Sequence, residues 1–466
     1  MSRRRIAIIG GGLAGITAAL DCAREGAEVT LLESRGRLGG AAYSFSRDGL
    51  TVDNGQHVFL RCCTEYRELV SQLQATDLVT LQPRLDIAVL APGNRRARLR
   101  RTSLPAPLHL AGALLRYRHL DVRRRLAVAR AMQSLGRVDF DDPANDERSF
   151  GDWLREHGQD SRTVQAIWSL IARPTLNLTP EDASLAQAAQ VFQLGLLRDA
   201  TAGDVGYARV PLGQIHDRAA QRALAAAGVT VLLRRGVTRI EVAAGGFRLE
   251  MNGAPSHDAD AVVLAVPPDR AVRLLPPQAG VSSQVASRLG RSPIVDLHVI
   301  YDRPVLDLPF AAGVDTPVQW VFDRTRSSGL QGGQYLAVSL SAAEDEQAAS
   351  VDELRARYLP ALAQLLPAAA HATVRSFFVT RDHAATFRAA PGARAWRPPA
   401  RTQLPGLALA GAWTDTGWPA TMEGAVRSGH AAAREVLDTV PVAAAPSPAP
   451  VAVTAAPQPP LVGRGA

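Results

Sequence analysis

The first forty residues constrain the fold of this chain more than any other segment. A short apolar run, Ile6 to Ile9, leads into Gly10-Gly11-Gly12-Leu13-Ala14-Gly15, and then come a helical stretch, a second apolar run and Glu33. This order predicts a strand, a glycine turn, a helix, a strand and a terminal acid, which is the pattern of a dinucleotide-binding unit. The N-terminus of such a helix offers free N–H groups and positive potential to phosphates.

Each conspicuous residue of this unit has a physical role. Gly10 permits a tight turn, Gly12 lets the backbone approach a pyrophosphate, and Gly15 lets the helix pack on the strand. Glu33 is placed to accept hydrogen bonds from the ribose of an adenine dinucleotide, and it would repel the 2′-phosphate of NADP. A lone glycine fingerprint also fits a plain tight turn, but the complete unit argues against that alternative. The loop from Arg35 to Gly40 adds a cation beside the same phosphates, which favours FAD over NAD.

Length and composition predict two domains and a tail. A chain of 466 residues is too long for one core, and its 47% apolar and 21% charged residues are those of an ordinary folded protein. We expect an α/β fold in which 1–80, 205–270 and 395–440 form the FAD-binding domain. Segments 81–204 and 271–394 are expected to form a discontinuous α+β substrate-binding domain. The tail, 441–466, is rich in Pro and Ala and is predicted to be disordered.

Three later segments carry the pattern of the same nucleotide-binding sheet. Val229 to Leu233 and Gly236 to Ile240 predict a strand, a turn and a second strand that returns to the sheet. Ala261 to Pro267 predicts a buried strand, and Leu407 to Gly411 predicts another that a loop joins to a helix from Met422 to Leu437. Small residues early in that helix predict close approach to a ring system; they are Gly424, Ala425, Ser428 and Gly429.

Composition also excludes several functions. The net charge of +8 comes wholly from arginine, because the sequence contains no lysine; Schiff-base chemistry and a Walker-type phosphate site are therefore excluded. Neither zinc-finger spacing nor a basic stripe with aromatic residues occurs, so nucleic acid is not an expected partner. The three cysteines, Cys22, Cys62 and Cys63, predict neither a disulfide framework nor a metal site. No signal peptide and no span of about 18 apolar residues is present, so a cytoplasmic protein is expected.

The segment from Leu104 to Met132 combines leucines with arginines at helical spacing. This pattern predicts an amphipathic basic helix pair. One interpretation is a cap helix with its apolar side on the protein core, and the other is a peripheral contact with the inner face of the cell membrane. A lipophilic substrate would favour the second interpretation.

Taken together, these motifs resemble the flavin amine oxidase and phytoene desaturase superfamily. The resemblance rests on the glycine unit with Glu33, the loop from Arg37 to Gly40, the strand after Gly228, and the closing segment from Met422 to Gly429. Within the superfamily, the chain is similar to the hydroxysqualene dehydroxylases, FAD-dependent enzymes of bacterial hopanoid synthesis. Three segments carry that narrower similarity: Asp53 to Phe59, Leu104 to Leu110, and Thr414 to Gly424.

The resemblance implies a Rossmann-like FAD-binding domain of the glutathione-reductase and amine-oxidase type. Because no cysteine lies near the closing loop, the implied FAD is non-covalent. Family members usually carry an acid directly after the glycine of the closing strand, whereas Ala412 stands here, with Asp415 nearby. The implied cofactor-binding residues are Gly10, Gly12, Leu13, Ala14, Gly15, Glu33, Ser34, Arg37, Gly39, Gly40, Ala41, Val237, Gly411 and Met422.

The implied reaction is reductive removal of an allylic hydroxyl from hydroxysqualene, a lipophilic isoprenoid, beside other enzymes of the squalene and hopanoid pathway. An acid must protonate the departing hydroxyl, and the candidates are His57, Asp53 and Asp415. A carotenoid desaturase and a non-catalytic flavin-binding scaffold are alternatives. An amine oxidase is a further alternative, but the lack of lysine argues against it.

Overall fold

The computed structural model describes residues 3–439, so the predicted tail at 441–466 lies outside the described residues. The strands are, in chain order, β1 Arg5–Ile9, β2 Glu28–Glu33, β3 Ser44–Arg47, β4 Leu50–Asp53, β5 Val58–Leu60, β6 Val79–Leu81, β7 Asp86–Ala91, β8 Arg95–Arg100, β9 Val205–Ala208, β10 Thr230–Leu233, β11 Val237–Ala243, β12 Gly246–Met251, β13 Ala254–Ala259, β14 Ala261–Leu264, β15 Ser292–Tyr301, β16 Phe310–Gly313, β17 Trp320–Asp323, β18 Gln334–Ser341, β19 Val374–Thr386 and β20 Leu407–Leu409.

The α-helices lie between and after these strands. They are, in chain order, α1 Leu13–Arg24, α2 Thr64–Gln72, α3 Ala111–Leu115, α4 Val122–Leu135, α5 Pro143–Asp146, α6 Phe150–Glu156, α7 Ser161–Thr163, α8 Ser169–Leu176, α9 Leu185–Phe192, α10 Ala220–Ala226, α11 Pro268–Leu274, α12 Val285–Leu289, α13 Thr325–Ser328, α14 Glu344–Ala348, α15 Val351–Leu365 and α16 Met422–Thr439. Wider π-helical turns join α7 to α8, extend α9 and precede α10; they span Val164–Trp168, Gln193–Leu197 and Gln214–Ala219.

A parallel five-stranded sheet, in the order β10-β2-β1-β14-β20, contains the predicted nucleotide-binding unit. The strands β1, β2 and β14 are almost wholly buried, as expected for a parallel sheet covered on both faces. Helix α1 follows β1 directly after the glycine turn, and α16 packs beside α1. The sheet therefore brings the glycine turn after β1 and the loop after β20 together at the carboxyl ends of its strands, where ligands of open α/β sheets bind.

A seven-stranded sheet, in the order β19-β15-β18-β17-β16-β7-β8, forms the second large layer. It is antiparallel except between β16 and β7. Alternate residues of β15, such as Val295, Leu297 and Val299, belong to the apolar core that includes α15. Because side chains alternate between the faces of a strand, Ile294, Asp296 and His298 lie on the other face of β15.

One sequence-based expectation about the sheets is wrong. The segment after β10 does not return to the parallel sheet, because β11 pairs with β12, which in turn pairs with β13, in a separate antiparallel sheet. Only β10 joins β2. A short apolar run does not specify which sheet it enters, since strand pairing depends on distant partners. The predicted strands at 261–267 and 407–411 are confirmed in their positions, as β14 and β20.

Three of the four small residues early in α16 serve close packing of the helix. A Cβ atom at Gly429 would lie 2.4 Å from the carbonyl oxygen of Ala14 and 2.7 Å from the Cβ of Thr17 on α1. At Gly424 it would lie 2.6 Å from the carbonyl oxygen of Pro419. The Ser428 hydroxyl accepts a hydrogen bond from the Gly411 N–H at 2.7 Å. Close packing of α16 on α1 and on its own loop therefore accounts for three of the four small residues.

Candidate functional site

A cavity of about 1650 Å³ runs from the glycine turn to the seven-stranded sheet. This volume exceeds the roughly 300 to 1,000 Å³ of a typical small-molecule site, so the cavity has room for a dinucleotide and a second ligand. Away from the glycine turn its lining is mainly apolar and includes Leu85, Ile87, Leu99, Leu110, Leu114, Val128, Met132, Ile167, Leu170, Leu194, Leu196, Phe310, Trp320 and Phe322.

The glycine turn has the conformation that the sequence predicts. Gly10 has a φ of +110°, and a Cβ there would lie 2.2 Å from the carbonyl oxygen of Ala265. Gly12 differs, because its backbone is extended and the nearest atom to an added Cβ is the Gly40 Cα at 3.7 Å. Gly10 is therefore required for the turn itself, whereas Gly12 leaves space that a bound group can occupy.

Glu33 and Arg37 lie beside this turn and line the cavity. The Glu33 carboxylate is buried and accepts hydrogen bonds from the backbone N–H groups of Gly11 and Arg35, each at 2.7 Å. The Arg37 guanidinium lies over the Tyr43 ring at 3.4 Å from its centre and donates to the carbonyl oxygens of Leu38 and Gly40. An acid fixed at the end of β2 and a cation fixed at the glycine loop fit the ribose and the phosphates of an adenine dinucleotide.

The structure places almost every sequence-predicted cofactor residue in this cavity wall. The lining residues among them are Gly10, Gly12, Leu13, Ala14, Glu33, Ser34, Arg37, Gly39, Gly40, Ala41, Val237, Gly411 and Met422. Gly15 is the exception, since a Cβ there would lie 1.9 Å from the carbonyl oxygen of Gly10. Its role is therefore helix-to-strand packing and not ligand contact. Gly11, whose N–H donates to Glu33 and orients it, is a further residue of this wall that the sequence pattern did not single out.

The closing loop is held from outside the cavity. The Arg397 guanidinium is buried and donates to the carbonyl oxygens of Ala412 and Thr414 at 3.2 and 2.6 Å. Ala412 lines the cavity, whereas Asp415 is exposed and does not. Asp415 therefore has no position from which to replace the missing acid or to protonate a ligand in the cavity. Glu423 is buried in the wall, but its carboxylate accepts from the N–H groups at the start of α2 and pairs with Arg427.

Asp53 is also a structural residue rather than an acid of the site. One carboxylate oxygen accepts hydrogen bonds from the Ser44 hydroxyl at 2.6 Å and the Leu212 N–H at 2.9 Å, and the other pairs with Arg324. Asp53 does not line the cavity. The prediction that Asp53 acts as an acid rested on its position near His57 in the sequence and is wrong. Asp53 ends β4, and its side chain points toward Leu212 and Arg324.

His57 lines the cavity as predicted, in a polar wall that also contains Gln56, Ser339, Thr380 and Asp382. Its Nδ1 donates to the Gly55 carbonyl oxygen at 3.2 Å, which leaves Nε2 as an acceptor. Burial lowers the pKa of His57, so the ring stays neutral near neutral pH. A neutral imidazole with a free acceptor nitrogen suits the orientation of a ligand hydroxyl better than its protonation.

A further acid lies directly behind this polar wall. Asp296 is 1% exposed, and its Oδ1 has no hydrogen-bond partner in the part of the chain that the structure describes. A Cβ at Gly55 would lie 3.6 Å from its Oδ2. The sequence offered one signal that was missed, because Asp296 is the only carboxylate in the ten-residue strand β15.

The segment from Leu104 to Met132 lies where the cavity reaches the surface. It forms α3 and most of α4, and its apolar residues are divided between the protein core and the surface. Leu120, Val128 and Ala131 are buried in the core, whereas Leu108 is exposed and also lines the cavity. Five of the eight large apolar residues exposed in the described chain belong to this segment: Leu104, Leu108, Leu115, Val122 and Leu126.

Within residues 3–439, no helix combines the length and the apolar character that crossing a bilayer requires.

Comparisons with known proteins place the chain in a family of flavoenzymes. The hydroxysqualene dehydroxylase of Rhodopseudomonas palustris is 30% identical over 93% of this chain and 98% of its own length. The zeta-carotene desaturase of a Synechocystis strain is 24% identical over 93% of this chain and 97% of its own length. Among solved structures, a putrescine oxidase variant has the same fold with a TM-score of 0.70 at 20% identity, covering 94% of this chain and 99% of the other.

The sequence profile of flavin containing amine oxidoreductases matches residues 13–437, which include the whole seven-stranded sheet, every strand of the parallel sheet except β1, and nearly all of α16. The expected fold class and the resemblance drawn from the sequence are thereby confirmed. The chain belongs to the flavin-containing amine oxidoreductase family and is a flavin-dependent oxidoreductase.

Proposed function

We propose that this protein reductively removes the hydroxyl of hydroxysqualene and releases squalene, with FAD bound non-covalently. The observation that carries this proposal is the continuous cavity, which joins a dinucleotide-binding turn to a large apolar chamber with polar groups on one wall. A long hydrocarbon with one hydroxyl matches such a lining. The similarity to the Rhodopseudomonas palustris enzyme over nearly the whole chain supports the same reaction.

The residues present fit FAD, since the space over Gly12, the buried Glu33 and the fixed Arg37 meet the needs of its pyrophosphate and ribose. When bound and reduced, FAD supplies a hydride to the carbon that loses the hydroxyl. The apolar lining holds the hydrocarbon and excludes water. His57 Nε2 is available to accept a hydrogen bond from the substrate hydroxyl. Because hydroxide is a poor leaving group, this wall must also deliver a proton.

A carotenoid desaturase is the second candidate, supported by the similarity to zeta-carotene desaturase and by the same apolar chamber. A desaturase would use FAD as an oxidant and would have no departing hydroxyl to protonate. A buried carboxyl behind the polar wall therefore favours dehydroxylation over desaturation.

The two candidates are separated by one anaerobic experiment. Chemically reduced holoprotein is mixed with hydroxysqualene in detergent while the flavin absorbance is followed, and the products are extracted. Flavin reoxidation with one squalene per flavin supports dehydroxylation. Reduced protein that stays reduced and forms no squalene contradicts it. Oxidised holoprotein with phytoene is the parallel reaction, and flavin reduction with formation of a longer polyene would support the desaturase instead.

We also propose that the protein docks on an anionic lipid bilayer, which would deliver a hydrocarbon substrate to the cavity. The docking surface, here called the basic apolar patch, consists of Leu104, Leu108, Leu115, Val122, Leu126, Arg116, Arg118, Arg123 and Arg130. In residues 3–439, none of these four arginines pairs with a carboxylate. Exposed leucines between uncompensated arginines suit an interface of acyl chains and anionic headgroups, and Leu108 joins the patch to the cavity.

Replacing Leu104, Leu115, Val122 and Leu126 together by serine should abolish binding to vesicles that contain phosphatidylglycerol. A fully buried leucine contributes roughly 1.5 to 3 kcal/mol, and we assume that each of the four side chains contributes half of this in the bilayer. Loss of all four contributions weakens binding by at least about 100-fold. None of the four lines the cavity, so turnover of detergent-dissolved substrate should be kept. Vesicle flotation measures the binding.

The control replaces Val242 and Val351 by serine, because these apolar residues are also exposed but lie outside the patch. The control should float as the unmodified protein does. Flotation of the patch variant with anionic vesicles at the unmodified level would contradict membrane docking through this surface. Equal flotation with neutral vesicles would contradict the role of the arginines.

A further inference from the structure

Asp296 is the buried acid nearest to the polar wall, and the strand pairing fixes where it points. In the seven-stranded sheet it lies between Ser339 on β18 and Thr380 on β19, its partners in register. Both partners line the cavity, as does Ile294 two residues earlier on the same face of β15. Gly55 lines the cavity and lies against this carboxyl, because a Cβ added at Gly55 would be 3.6 Å from Oδ2. Asp296 is thus one layer behind the wall.

The surroundings of Asp296 favour its neutral form. It is 1% exposed, it forms no ion pair within residues 3–439, and its Oδ1 has no hydrogen-bond partner there. The nearby arginine, Arg324, is already paired with Asp53. Burial, with smaller contributions from the carboxylates of Asp382 and Asp53, raises the pKa of Asp296 to about 7, although the Ser339 hydroxyl and the Gln56 backbone amide oppose the shift. The protonated, neutral carboxyl costs less free energy to bury at this position than the carboxylate does.

We propose that Asp296 is the source of the proton that leaves with the substrate hydroxyl, delivered through the Ser339 hydroxyl in the cavity wall. This inference rests on the proposed dehydroxylation. The substrate C–O bond breaks with both electrons on oxygen, which takes the Ser339 proton and leaves as water, while Ser339 is reprotonated by Asp296. Reduced flavin, when bound, would supply the hydride that this carbon accepts and would itself be oxidised. Solvent then restores the proton on Asp296.

The assignment divides the polar wall by function. His57 accepts a hydrogen bond and positions the hydroxyl, and Asp296 acts through Ser339 without touching the substrate. The remaining titratable groups that face this region are Asp53 on β4, Asp382 on β19, Tyr335 on β18, His298 on β15 and Arg324 before α13. His298 bonds to Tyr335 and Thr380 and stays neutral because burial lowers its pKa to about 3. Asp296 is therefore the group of this set that holds a proton suited to transfer near neutral pH.

The test uses the holoenzyme with the isosteric change Asp296→Asn. We expect the single-turnover rate of squalene formation to fall by roughly 100-fold to 10,000-fold, with flavin content and hydroxysqualene affinity kept. The squalene-forming rate of the unmodified enzyme should fall as the pH rises above about 7; this decrease is here called the pH limb. The residual rate of the variant should not show the pH limb. His57→Gln and Asp382→Asn are rival changes at the same wall, and both should retain the pH limb.

A second readout does not depend on turnover. A carboxyl with a higher pKa in the folded than in the unfolded chain makes the folded protein less stable as the pH rises between the two values. Asp296→Asn removes this loss, so the melting temperature of the variant should gain several degrees over the unmodified protein as the pH rises from about 4 to about 7. Infrared spectra should show a protonated carboxyl band at the lower pH that the variant lacks.

The outcomes separate the two proposals. If the unmodified enzyme forms squalene and Asp296→Asn keeps its rate and its pH limb, the role of Asp296 is overturned while the proposed function stands. A melting difference that does not change with pH, together with no missing carboxyl band, also overturns it. If the unmodified enzyme forms no squalene, the proposed function fails, and the role of Asp296 fails with it.

Discussion

Gly12→Val should give a folded protein that does not retain its flavin. The Gly12 backbone is extended, which any residue adopts, and an added Cβ would meet nothing closer than the Gly40 Cα at 3.7 Å. The valine methyl groups would instead fill the space over the glycine turn, where a bound pyrophosphate must approach the backbone closely. Forcing extra methyl groups into filled space costs about 1 to 3 kcal/mol in protein cores, and a similar cost at this turn would weaken binding by up to roughly 100-fold.

The measurement is the ratio of flavin to protein absorbance after purification, followed by titration of the apoprotein with FAD. Gly26→Asn is the matched control at the other end of α1, because Gly26 has a φ of +81° in open space and asparagine tolerates that conformation. The control should bind flavin normally. Full flavin content in folded Gly12→Val would contradict the position assigned to the cofactor.

Asp204→Asn should destabilise the protein by about 3 kcal/mol, at the low end of the cost of breaking a buried ion pair because the arginines are partly exposed. The Asp204 carboxylate is fully buried beside the cavity wall. It accepts from the Leu85 N–H at 2.6 Å, from Arg101 at 2.6 and 2.9 Å, and from Arg61 at 2.9 Å. The amide keeps the shape but leaves two cations without a counter-charge. Urea unfolding followed by tryptophan fluorescence measures the change.

The effect should depend on pH in a defined direction. Burial alone would raise the pKa of Asp204, but hydrogen bonds from Arg101 and Arg61 outweigh it and lower the pKa. A carboxyl with a lowered pKa stabilises the folded state above its unfolded pKa of about 3.9 and loses that contribution as the pH falls further. The difference between the variant and the unmodified protein should therefore shrink below about pH 4.

Asp258→Asn is the control, because its pair with Arg248 is exposed on both sides and should contribute little. Equal small losses for Asp204→Asn and Asp258→Asn at neutral pH would show that the buried cluster does not hold this wall.

The sequence alone determined the dinucleotide-binding unit and most of the cofactor wall. Gly10, Gly12 and Glu33 lie within one short segment, and their spacing dictates turn, helix and strand by local sterics and hydrogen bonding. Gly411 and Met422 are distant from that segment, but Gly411 lies two residues after the end of β20 and Met422 begins α16, and both elements have recognisable patterns. Local periodicity suffices where a residue's role depends on its own element.

The tertiary structure alone decided which acids belong to the site. Asp53 and Asp415 were plausible proton donors because they lie close in sequence to other predicted site residues. The Asp53 carboxylate is held by Arg324 and Leu212, however, and Asp415 is exposed. Asp296 faces the polar wall because β15 pairs with both β18 and β19 and because Gly55, far earlier in the chain, lies against it. The protonation of a carboxyl depends on its burial and on its hydrogen-bonding and charged partners. At these positions the partners come from segments distant in sequence, so local sequence patterns do not predict them.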